Sequence, residues 1–218
     1  MANKSKDETA MVFSYLELRK AVGILAIALP FVLTLGTLVL FKTGIQSSIS
    51  NYYYTGMRDV FVGILCAIGF FMLSYKGYEL ADKIAGNFGC VLAVGVALLP
   101  MTPEGPASTI AHIIGTTHLI LAALFFLTLI YFSLFLFTKT DPKKKPTRRK
   151  LQRNKVYRAC SYIMGLCIVL IALDLLLPNG MASFLEKYNP IYWLETIAVL
   201  AFGISWLTKS EAILKDEI

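Results

Sequence analysis

Six apolar runs separated by shorter polar stretches set the pattern of this chain. They cover approximately residues 21–41, 60–75, 84–100, 110–137, 159–177 and 191–207. Runs of this kind read as membrane-spanning helices, which need about 20 apolar residues with a range of about 17–25. The second run is short for a span and the fourth is long. The pattern predicts an all-α membrane protein, a bundle of six transmembrane helices forming one integral membrane domain over 1–218. The first run is too long for the core of a signal peptide. No small-x-small cleavage site follows it, so it is expected to stay as a span.

Composition sharpens that class. Of 218 residues, 56% are hydrophobic and 16% charged, with a mean hydropathy of +0.64. A soluble domain would carry about 25% charged residues. The net charge of +7 does not indicate nucleic acid, because ten of the 21 Lys and Arg lie between Lys139 and Arg158. That stretch reads as one basic loop, 139–158, a solvated determinant of topology. It is also suited to anionic lipid headgroups, at roughly 1 kcal/mol per basic residue near the surface.

Lys/Arg bias then orients the bundle. With both termini cytoplasmic, every Lys and Arg except Lys42, Arg58 and Lys187 falls on the inner side. The expected location is a bacterial cytoplasmic (inner) membrane, with membrane lipids as partners. A homo-oligomer is compatible with the sequence.

Cys66, Cys90, Cys160 and Cys167 all fall in or beside apolar runs, so no disulfide framework is expected. Close helix approach in lipid favours small residues. The pairs Gly63/Ala67, Gly86/Cys90 and Gly89/Ala93 are candidates for such contacts. Pro30 interrupts the first span and should free a carbonyl, with Thr34 one turn on to help satisfy the local backbone.

The chemistry that stands out is a set of ionisable residues near one end of the spans: Asp59, His112, His118, Asp174 and Glu195. An acid at the centre of a spanning helix costs roughly 2.5–3.5 kcal/mol on insertion scales. Alternating topology puts all five on the outer side. Arg58 enters the second span beside Asp59. Tyr53 stands in a polar, aromatic loop that ends at Asp59, and Tyr192 precedes Glu195 on one helix face. Asp59, His118 and Glu195 are the expected core of a pocket and the candidates for any catalysis. Tyr53, Arg58, His112, Asp174 and Tyr192 are expected around them. Tyr52, Tyr53 and Tyr54 suit the headgroup zone or the wall of a pocket.

A resemblance rests on three stretches. They are Ser-Ile-Ser-Asn-Tyr-Tyr-Tyr-Thr-Gly-Met-Arg-Asp-Val-Phe-Val-Gly ending at Gly63, Ser-Tyr-Lys-Gly-Tyr at 74–78, and the His118 segment with Phe-Phe-Leu-Thr-Leu-Ile-Tyr-Phe-Ser. In these the chain resembles a bacterial family of six-helix membrane proteins of unknown function. Through an Ile-Ser near Asn51 it is also similar to the eukaryotic Frag/DRAM/Sfk group, six-helix proteins with a polar first outer loop. That similarity implies a lipid-related role and carries over no catalytic residue.

Three function classes follow, besides a polar network with no pocket. The first is an outward-facing polar pocket that handles a lipid or lipid-like small molecule. There Arg58 pairs with a phosphate. The second is a metal-dependent membrane hydrolase with zinc held by His112, His118 and a carboxylate from Asp59 or Glu195. Six residues on a helix put the two histidines about 120° and about 9 Å apart, which does not suit one metal on a regular helix. The third is a proton-coupled transporter or channel, although the inner halves of the spans are nearly free of ionisable groups and no inverted repeat is visible.

Overall fold

A computed structural model of the chain describes residues 2–75, 80–140, 145–176 and 187–215, with backbone alone over 2–14. It contains helices α1 (Ala2–Gly36), α2 (Arg58–Leu73), α3 (Leu80–Leu98), α4 (Thr109–Tyr131), α5 (Arg148–Leu176) and α6 (Pro190–Lys209). The ends of α1 and α4 continue as π turns, Thr37–Phe41 and Phe132–Leu136, and a single 3-10 helix, Ser50–Tyr54, lies between α1 and α2. Pro178 and residues 141–144 of the basic loop lie outside the described residues.

Among the described residues, five helices are long and apolar enough to cross a membrane: Tyr15–Phe41, Leu80–Leu98, Thr109–Leu136, Arg148–Leu176 and Pro190–Lys209. The sixth, α2, has 16 residues and rises about 24 Å, short of the roughly 30 Å hydrocarbon core. Large apolar side chains cover the outside of the bundle, with Val39, Val91, Ile110 and Leu176 more than two-thirds exposed. Against lipid such a surface costs nothing, whereas unpaired backbone would.

Each helix packs on its neighbours in sequence, and α6 returns to α1, so the six close a ring. One end of the ring carries the 42–57 and 99–108 segments. The other carries the basic stretch and is termed the basic end. There the buried rings of Tyr75, Phe132, Phe137, Tyr157 and Trp206 form one cluster, with Phe137 centred 5.4 Å from Tyr157 and 5.3 Å from Trp206.

The ring closes where α1 and α6 touch through glycine. A Cβ on Gly203 would meet Ile27 Cγ1 at 2.6 Å and the Gly23 carbonyl at 2.9 Å. One on Gly23 would meet the Gly203 carbonyl at 2.9 Å. No side chain larger than hydrogen fits at either position. On α3, Cys90 and Ala93 back onto Gly69 of α2, and Gly86 approaches the Met72 carbonyl, as the small-residue pattern predicts. Gly63 differs, because it faces open space. Its small size serves no helix contact within the bundle.

Two other expectations change in the fold. Helix α5 starts at Arg148, about three turns before the apolar run. Much of the basic stretch is therefore helical, and Arg153 within it is buried against the Glu211 carboxylate at 3.0 Å. That pairing supplies what the composition lacked, a buried partner for a charged turn. The Thr34 hydroxyl does not serve the backbone near Pro30. It bonds two tyrosines instead.

The glycine contact predicts a contrast. Gly203→Val should lower stability by about 1–3 kcal/mol through overpacking. Gly63→Ala, at an open position, should stay within about 0.5 kcal/mol of wild type. Thermal unfolding of both variants in one detergent measures the difference, and equal losses would rule out the close α1–α6 approach.

Candidate functional site

The 42–57 segment folds inward over its end of the ring, and polar side chains fix its path. The Asn51 N–H donates to Ser48 Oγ at 3.1 Å, which turns the chain into the 3-10 helix. The start of that helix leaves backbone N–H groups without partners. Glu195, in the second turn of α6, supplies the acceptor. Its Oε2 takes the Ile49 N–H at 2.6 Å, and the Ser50 N–H also reaches the carboxylate. A carboxylate at such a start is also favourable to the peptide dipoles.

Ser50 carries the network onward. Its Oγ lies 3.0 Å from Nε2 of His118, whose side chain is 1% exposed. Nδ1 of the same ring lies 2.6 Å from the Leu99 carbonyl oxygen. A carbonyl can only accept, so Nδ1 must carry a proton. In the neutral ring Nε2 is then the acceptor, and the Ser50 hydroxyl donates to it. One serine thus links α6 to α4, through its backbone to Glu195 and through its side chain to His118. Gly115, one turn before His118, lets Thr102 lie directly on α4, which seats the strand of chain that presents Leu99.

A second chain of hydroxyls ties the same segment to α1. Thr34 Oγ1 is 2.6 Å from the Tyr192 phenol and 3.0 Å from the Tyr52 phenol. The Tyr192 N–H donates to the Ser47 carbonyl at 3.1 Å. Tyr52 is fully buried, and burial raises its phenol above the ordinary range, partly offset by the Thr34 hydrogen bond. Further out, Asn51 donates to Ser47 Oγ, and Ser47 donates to Glu104 at 3.2 Å.

Beneath this lid a cavity of about 50 Å³ lies inside the ring. Its walls are apolar, drawn from α1, α2, α3, α4 and α6, with Leu29, Leu65, Val96, Phe125 and Val199 among them. Among the described residues, only Ser50 and Glu195 bring polar side chains to its lining. One water-sized sphere needs about 10–15 Å³. The space therefore admits a few small groups, and its lining favours hydrocarbon over water.

The expected cluster is thus divided. His118, Glu195 and Tyr192 meet on the folded segment. Arg58 and Asp59 are exposed at the start of α2. The Arg58 guanidinium lies 4.2 Å from the Tyr53 ring centre and bonds its hydroxyl. His112 is exposed in the first turn of α4, and Asp174 is half-buried in the last turns of α5, a helix that lines none of the cavity. Of the three tyrosines, Tyr52 is buried and Tyr54 exposed, with its hydroxyl on the Met101 carbonyl. Among the described residues no three His, Cys, Asp or Glu side chains are grouped to hold a metal ion.

Ser50 and the Leu99 carbonyl are members that the sequence did not single out, and Thr34 was singled out for another role. Ser50 had a legible signal in the Ser-x-Ser-Asn turn pattern. Leu99 had none, because a main-chain acceptor carries no side-chain identity.

The arrangement fixes a tautomer. Nitrogen-15 spectra of the His118 ring should show a protonated Nδ1 and an unprotonated, acceptor-type Nε2 at neutral pH. A protonated Nε2 with bare Nδ1 would refute the assignment. Ser50→Ala should cost about 1–3 kcal/mol by leaving Nε2 buried without a donor, measured by thermal or denaturant unfolding. No family model, no curated protein and no solved structure matches this chain.

Proposed function

We propose that this protein is a six-span protein of a bacterial cytoplasmic membrane, with both termini inside, that holds a lipid or lipid-like small molecule from its outer side. The carrying observation is the apolar cavity within the ring, with Glu195 and Ser50 among its lining residues. An apolar chamber with one or two placed polar groups is the usual form of a small-molecule site. Hydrocarbon of the ligand enters between the walls of Leu29, Leu65 and Phe125, and its polar group exchanges hydrogen bonds with Glu195 or Ser50. The space of about 50 Å³ takes a short apolar segment of the ligand. Asymmetry of Lys and Arg supports the orientation, and the short α2 is accommodated by local thinning of the bilayer beside it.

A second reading has its own observation. Both ring nitrogens of His118 and the Glu195 carboxylate are already engaged by protein. On that reading the network only pins the loop, and no ligand enters.

One experiment separates the two. Protein extracted in mild detergent should release a bound amphiphile in native mass spectrometry. Val199→Phe, which fills the cavity, and Glu195→Gln, which removes the carboxylate, should each lose it by about tenfold or more. Val199→Phe should melt no lower than wild type by more than about 1–3 kcal/mol equivalent. A wild-type protein that carries nothing, or variants that retain the adduct unchanged, would leave the purely structural network as the account.

A further inference from the structure

At the basic end three helices bring cations over one aromatic floor. Arg19 of α1 lies 5.4 Å from the Tyr75 ring centre. Lys209, the last residue of α6, lies 5.3 Å from that of Phe137. Lys150 of α5 lies 5.8 Å from that of Tyr157. The rings themselves are in contact, Phe137 with Tyr75 at 5.8 Å and with Tyr157 at 5.4 Å. Arg153 stands beside them, paired with Glu211 at 3.0 Å. The charge on Lys209 is repelled by Lys150, Arg19 and Arg153 and attracted by Asp82.

Among the described residues, the acids beside these cations are committed. Asp82 is buried and bound to Lys139 at 3.0 Å, and Glu211 is bound to Arg153. Arg19 and Lys209 have ring contacts but neither a carboxylate nor a hydrogen-bond acceptor among the described residues. A cation in the last turn of a helix complements the helix dipole. That accounts for Lys209, while the Lys/Arg bias and the Tyr75 ring account for the depth of Arg19 but give its guanidinium no acceptor. Gathering like charges at the edge of a low-dielectric bundle is unfavourable unless an anion joins them.

We propose that Arg19 and Lys209, with Lys150 and Arg153 beside them, form a binding site for a phosphate group at the basic end of the bundle. Phosphate oxygens accept from a guanidinium fork in pairs and from an ammonium as a point charge. The ring contacts use up none of the N–H donors of either cation, which leaves them for a ligand. Arg19 stands near the start of the apolar stretch Tyr15–Phe41, and Lys209 ends Pro190–Lys209. Those are the depths at which a bilayer places its phosphates. The occupant is accordingly the phosphate of an anionic lipid headgroup, and free inorganic phosphate is the other source of the same chemistry. This site shares no residue with the cavity and stands whether or not the cavity holds a ligand.

The test uses the full chain with phosphatidylglycerol or phosphatidylcholine of equal chain length, read by native mass spectrometry and by melting temperature. Wild type should retain phosphatidylglycerol in preference and melt higher in its presence. Arg19→Gln combined with Lys209→Gln should lower that retention by about tenfold or more and abolish the rise in melting. Lys155→Gln, an exposed cation on α5, should change retention by less than about twofold and so reports bulk charge. Inorganic phosphate that displaces the lipid and raises melting on its own would support the site with free phosphate as occupant. Failure to displace would support the headgroup. Two results would overturn the proposal. One is no preference for phosphatidylglycerol together with no effect of phosphate. The other is an equal loss in Lys155→Gln.

Discussion

A polar group in hydrocarbon must find its partner inside the protein, and the folded 42–57 segment is where that rule is most demanding. The segment is irregular backbone at the end of a ring of apolar helices, and non-helical backbone is tolerated there only where protein satisfies it. Glu195 takes the N–H of Ile49, and Ser50 binds His118, which is held in turn by the Leu99 carbonyl. This chain acts together with the Thr34, Tyr52 and Tyr192 hydroxyls and with the buried Ile49, Tyr52 and Met57 side chains to hold the segment inward. Hydrogen bonds to charged groups are worth roughly 1.5–3 kcal/mol each, comparable with the roughly 2.5–3.5 kcal/mol that an acid costs within a span. Those bonds offset part of the cost of burying the carboxylate, and in return it selects one path for the loop.

The same requirement explains the division of labour between the two ends. At the loop end, polar side chains satisfy backbone, and few charges are needed. At the basic end, rings and ion pairs bind side chain to side chain. Asp82 holds Lys139 and Glu211 holds Arg153. Glu211 adopts a left-handed backbone, φ 62, where glycine is usual after a helix. The Ala212 N–H returns to the Leu207 carbonyl and the Glu211 N–H to that of Thr208, the hydrogen-bond pattern of a Schellman cap. A cap with glutamate in the strained position lets one residue both end α6 and meet Arg153.

Between the ends, shape is set by what is small. Gly23 and Gly203 bring α1 and α6 together and close the ring, while Gly69, Gly86 and Ala93 do the same for α2 and α3. Helix α5 packs on α4 and α6 but contributes no residue to the cavity wall. This is why Asp174, though as conspicuous in the sequence as Glu195, has no share in the enclosed space. Position along the chain put it at the correct depth. Position around the ring put it outside.

The sequence by itself determined the membrane class, the helical architecture and the approximate limits of the apolar spans, because hydrophobic length against bilayer thickness is a local property. It also marked His118 and Glu195, because an ionisable group in an apolar run is conspicuous wherever it points. Only the tertiary structure decided which ionisable groups meet. Asp59, expected in the core with Glu195, and His112, expected around it, both stand exposed, since the face a helix residue presents depends on how the helix is rotated in the bundle. Partners such as Ser50 and the Leu99 carbonyl were hidden for a related reason. A serine in a loop and a main-chain oxygen become specific only when folding brings a histidine from another helix to within hydrogen-bonding distance.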